Sequence, residues 1–116
     1  MKAGNLTGHK MKVNDKLGNP IEIAAVTVWM VKDTAKALFA VDDYIQYVQV
    51  QSEAAVRHLA NLFAYDNFED EEATITLKDG AQQVSQMLEK ELNERLERAG
   101  IDVIAARITH LAYAPQ

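Results

Sequence analysis

The chain has 116 residues, 48% hydrophobic and 25% charged, with 5 Gly, 2 Pro and no Cys. This is the composition of one globular domain, and it excludes a disordered or fibrous chain, disulfides, thiolate metal sites and a cysteine nucleophile. A net charge of −5 argues against a general nucleic-acid binder, since neutralising phosphates takes clustered Lys and Arg.

Met1 to Met11 carries Gly4, Asn5, Thr7, Gly8 and His9, without the basic start and apolar run of a signal peptide. Residues 1–10 are read as a flexible N-terminal segment before a domain spanning 11–115. From Met11, apolar Met11, Val13 and Leu17 alternate with Lys12, Asn14 and Lys16, the pattern of a strand with one wet face. Asn14-Asp15 and Gly18-Asn19-Pro20 then supply a reversing loop, because Gly and Asn tolerate positive φ. Ile21 to Val31 is β-branched and contains Trp29, so the two strands form an antiparallel hairpin. From Ala24 onward both parities of this second strand are apolar, which requires cover on both faces. Helices of the same chain are the favoured cover and a neighbouring subunit is the alternative.

Asp33 is placed to cap a short helix over Thr34 to Ala40 by accepting from the amides of Ala35 or Lys36. Ile45, Val48, Ser52, Ala55, Val56, Leu59, Leu62 and Phe63 step by threes and fours, predicting a long helix capped by Asp42 or Asp43. Tyr65 to Glu72 is acidic and irregular and reads as an exposed loop. Its spacing lacks the alternating acids, central Gly and closing Glu of an EF-hand. Asp79 with Gln82 resembles a capping box opening a helix striped by Ala81, Val84, Met87, Leu88, Leu92, Leu96 and Ala99. Glu91–Arg95 and Glu94–Arg98 are favourable i,i+4 pairs on that helix. Gly100 ends it in the left-handed region. Ile101 to Tyr113 returns to β character with a change of apolar parity that signals a bulge or a change in what covers each face. The order makes an α+β fold: a small, mostly antiparallel sheet of N-terminal hairpin plus C-terminal strand, packed with two to three helices.

No catalytic constellation emerges. His9, His58 and His110 lie far apart, in no ligand spacing. Ser52 and Ser85 sit in predicted helices without a nucleophile elbow, and neither Gly18 nor Gly80 belongs to a phosphate-binding loop. Asp42, Asp43 and the acids of 66–72 fall where caps and solvated loops put them. The chain therefore reads as no enzyme and needs no cofactor and no metal.

Taken together, the motifs resemble the SPFH domain of stomatins, prohibitins and flotillins, also called Band 7 or PHB. They are Lys12 to Ile23, Val28-Trp-Met-Val-Lys-Asp33, Thr34 to Val41 and Asp43-Tyr44. Gln51 to Ala60, Tyr65-Asp66, Gly100-Ile-Asp-Val and Arg107 to Ala114 continue the series. The likeness covers Met11 to Pro115 and is greatest to bacterial slipin/stomatin-like proteins. It departs at Phe63-Ala64-Tyr65-Asp66, where a proline is usual before the tyrosine.

The resemblance implies an excised domain of a longer protein with an N-terminal membrane anchor and a following coiled coil. In that protein it implies membrane association, on the cytoplasmic face. It also implies a non-enzymatic scaffold that forms homo-oligomers and organises membrane microdomains or membrane protein complexes. The alternative is a regulatory adaptor that binds a client such as a membrane protease through Glu69, Asp70, Glu71 and Glu72. Neither reading involves nucleic acid.

Overall fold

The computed structural model describes residues 3–33, 44–65 and 76–115. Strand β3 (Pro20–Val31) is the spine of an antiparallel sheet. Strands β1 (Ala3–Thr7) and β2 (Met11–Asn14) follow one another along one of its edges, and β4 (Ile101–Tyr113) runs along the whole of the other. Thr7 pairs with Val26 and Met11 with Ile23, so four steps along the first edge match three along β3. The slack is taken up at residues 8–10, where the Gly8 amide still donates to the Ala25 carbonyl at 2.9 Å. The turn from β2 to β3 places Gly18 at φ 84°, a conformation that suits a residue without Cβ.

The odd residues of β3, from Ile21 to Val31, are all buried and face the helices. The change of parity expected in β4 is real and occurs twice. Ala24 pairs with His110 but Ala25 with Ile108, and Val28 pairs with Ala105 but Trp29 with Val103. Thr109 and Ile104 are therefore extra residues, and each flips the pleat once. The result keeps Ile101 and Val103, then Ala106 and Ile108, then Leu111 and Tyr113 opposite the core-facing residues of β3.

Helix α1 (Tyr44–Leu62) buries Val48, Ser52, Ala55, Val56, Leu59 and Ala60 against that core face. Ser52 and Thr27 bring their hydroxyls to 3.4 Å within it, and Tyr44 meets the edge of Trp29 with ring centroids 5.7 Å apart. Helix α2 (Ala81–Leu96) buries Val84, Ser85, Leu88, Leu92 and Leu96, chiefly over β4. A 3₁₀ turn (Glu97–Ala99) and Gly100, at φ 70°, lead into β4, and the Gly100 carbonyl accepts from the amides of Lys32 and Asp33.

This is the expected α+β architecture, with four differences in detail. Residues 3–7 form a strand where the sequence suggested no element. Ile45 (55% exposed) and Leu62 (49%) lie off the buried stripe of α1, and Leu17 and Met87 are exposed as well. The Asp79–Gln82 capping box does not form. Gly80 stands at the N-cap of α2 with no side-chain bond, because a tight turn at Thr76 already engages the amides of Asp79 and Gly80. Glu91 pairs with Arg95 at 3.0 Å, whereas Glu94 and Arg98 are not within ion-pair distance of each other. The helix expected over Thr34–Ala40, the cap bonds to Ala35 or Lys36 and the caps at Asp42 or Asp43 lie outside the described residues.

Candidate interaction surface

Several residues of the sequence motifs are structural fastenings. Asp15 is buried, and its carboxylate is engaged on several sides. It accepts from the amides of Leu17 (3.0 Å) and Asn19 (2.8 Å), from Asn19 Nδ2 (3.3 Å) and from the Tyr65 amide (2.9 Å). The Lys16 amide donates to Phe63 beside it, so the hairpin loop is tied to the end of α1. The Tyr65 ring lies 4.2 Å from that of Tyr113, and the carbonyls of Ala64 and Tyr65 accept from Leu77 and Lys78. One knot thus joins loop, helix end and C-terminal strand, and Ala64, where a proline is usual, sits inside it.

Each histidine meets a carboxylate, and the three meetings are on separate surfaces. His9 Nδ1 is 3.5 Å from Glu53, His58 Nδ1 is 2.7 Å from Glu91, and His110 Nε2 is 3.0 Å from Glu22. Around His58 the contacts close a ring between the helices. Glu91 also accepts from Arg95 Nε at 3.0 Å, and Arg95 reaches back to Gln51 Oε1 at 3.2 Å. This ring floors a polar groove of about 570 Å³. Among the described residues no three His, Asp or Glu side chains gather as metal ligands would.

The even residues of β3 make the opposite face of the sheet. Glu22 is polar and is met by His110 and Lys10. Ala24 is buried, and Val26, Val28 and Met30 are half-buried. Of the helices expected to cover this second apolar face, the one over Thr34–Ala40 lies outside the described residues. Both α1 and α2 pack on the odd face, and α2 reaches only the rim of the even one. There Val26, Val28 and Ala105 line an open groove of about 520 Å³ with Gln82, Gln86 and Glu89 of α2. Ile104, extruded by its bulge, is 51% exposed nearby. The face is therefore apolar toward Met30 and charged toward Glu22, with no convergent reactive groups.

The outer edge of β4 is occupied by side chains of α2. Asn93 Oδ1 accepts from the Val103 amide at 2.9 Å, and Asn93 Nδ2 donates to the Val103 carbonyl and to the Glu89 carbonyl, both at 3.2 Å. Ser85 Oγ accepts from the Ile108 amide at 3.1 Å. Neither residue carries a signal in the sequence, since both look like ordinary polar positions on an amphipathic helix.

Glu69, Asp70, Glu71 and Glu72, the interaction surface expected from sequence, lie outside the described residues, as does Asp66. No described helix is long and apolar enough to cross a membrane. Compared with known families, residues 3–116 match the model of the SPFH domain / Band 7 family. Among curated proteins, none matches the chain.

Proposed function

The chain belongs to the SPFH domain / Band 7 family, and we propose that it is a non-enzymatic scaffold domain that self-associates to organise membrane microdomains or membrane protein complexes. The family is generally one of membrane-associated scaffolds without catalytic activity. The observation that carries the reading is the even face of β3, where Val26, Val28 and Met30 are half-buried on the side away from both described helices. Apolar residues on the second face of a central strand are suited to contact with another chain.

Sedimentation of the domain within its full-length chain tests this. Concentration-dependent assembly, weakened by Val28→Lys, is the expected result, and a strict monomer at high concentration refutes it. Charge reversal of Glu69, Asp70, Glu71 and Glu72 should leave assembly intact in a scaffold. In an adaptor the same change would remove client binding.

A further inference from the structure

We propose that Asn93 and Ser85 lock the outer edge of β4, standing in for a neighbouring strand so that no other chain adds there. The inference is independent of the scaffold reading, because it concerns a contact that the fold refuses.

An unpaired edge strand presents a row of free N–H and C=O groups that template pairing with another chain. β4 would be a severe case, with 13 residues, no proline, and Ile101, Val103, Ile104 and Ile108 along it. The Asn93 amide engages both the N–H and the C=O of the single residue Val103. That is the two-bond exchange a residue on an antiparallel neighbour makes. Its remaining N–H goes to the Glu89 carbonyl of its own helix at 3.2 Å, which fixes the orientation of the amide and leaves none of its polar atoms idle. Ser85 repeats the capture at Ile108.

The spacing explains how a helix can do this. Ser85 and Asn93 are eight residues apart, about 12 Å along an α-helix. Val103 and Ile108 are five apart, but Ile104 is a bulge, so the strand advances by four regular steps, about 13 Å. The two rises agree only because the bulge shortens the strand. Ile104 thus corrects the core register and also brings the second edge amide under Ser85. The groove lined by Val26, Val28 and Ala105 begins between the two anchors, beside Glu89, and runs past Ser85 to Ala81.

The test compares the unmodified chain with Asn93→Ala/Ser85→Ala by sedimentation velocity over a wide concentration range. The double variant should show a sedimentation coefficient that climbs with concentration beyond that of the unmodified chain. Adding Ala105→Lys, a charge at an exposed position beside the opened edge, should restore the original profile. A folded double variant that sediments as the unmodified chain does at every concentration overturns the proposal. Should the double variant fail to fold, Ser85→Ala and Asn93→Ser are measured singly, and unchanged sedimentation in both has the same force. Hydrogen exchange of the unmodified chain adds an independent check. The Val103 and Ile108 amides should be protected, and exchange of both at unprotected-peptide rates also overturns the proposal.

Discussion

Replacing Asp15 probes the knot that joins the hairpin loop to α1 and the C-terminal strand. Its carboxylate takes four donors, from Leu17, Asn19 twice, and Tyr65. Deleting an acceptor strands its donors, and a bond to a charged group contributes about 1.5–3 kcal/mol. The turn amides of Leu17 and Asn19 lie near the surface and recover water, so they count for a fraction of that. The Tyr65 amide, held between the loop and residues 77–78, counts nearly in full. Asp15→Ala should therefore cost about 3 kcal/mol. For a domain of this size that is about 12 °C in Tm, at roughly 4 °C per kcal/mol.

Asp15→Asn separates bonding from packing, because Asn has nearly the same volume. It can keep one oxygen for Leu17 and Asn19, but its NH₂ then opposes the Tyr65 amide, donor against donor. The Asn variant should therefore lose at least about 2 kcal/mol, nearly as much as the Ala variant. Urea unfolding with an unchanged m-value is the assay. An Asn variant within about 0.5 kcal/mol of the unmodified chain would mean that Asp15 merely fills space and ties no knot.

Gly4 faces Trp29 in the β1–β3 register, and a Cβ built there would lie 2.5 Å from Trp29 Cζ2. Gly4→Ala should therefore cost about 1–3 kcal/mol through overpacking. It should also shift the emission of Trp29, the single tryptophan; unchanged stability and fluorescence would place β1 elsewhere. Thr27→Val should cost about 1–2 kcal/mol by leaving the buried Ser52 hydroxyl without its partner, whereas adding Ser52→Ala should return most of that loss. A double-mutant cycle checks it, and strictly additive losses would show that the 3.4 Å contact carries no coupling.

The hairpin, both long helices and the bounds of β4 were legible because each follows a single period, two for strands and three to four for helices. Gly100 was legible because a helix exit into the left-handed region favours glycine. β1 was not, since Ala3-Gly4-Asn5-Leu6-Thr7 has neither alternation nor β-branched density. What makes it a strand is the edge of β3 and the indole of Trp29 across Gly4, both remote in sequence. The same limit hid Asp15, Ser85 and Asn93. An Asp in a turn and two polar residues on a helix look alike whether they face water or a backbone 50, 23 or 10 residues away. The parity change in β4 did show, but only its register against β3 reveals two bulges in place of one.

The even face of β3 sets a bound on what this domain can do alone. Fully burying an aliphatic side chain contributes about 1.5–3 kcal/mol, and Val26, Val28 and Met30 are already half-buried. Covering what remains would add about 1 kcal/mol each, or about 3 kcal/mol per copy and about 6 kcal/mol for two such faces brought together, with Ile104 as a further contributor at the rim. Bringing two free molecules together costs about 4–15 kcal/mol, a range that takes in this gain, so this face by itself holds at most a weak dimer. It becomes sufficient once the chains are tethered by a second contact, because linkage replaces the free concentration with an effective one in the millimolar range. A surface of this strength therefore suits a subunit that takes its place in a larger array and lets go outside it. In the proposed scaffold a locked β4 edge would serve the same end, since strand addition there would hold neighbours by main-chain bonds with no need of an array.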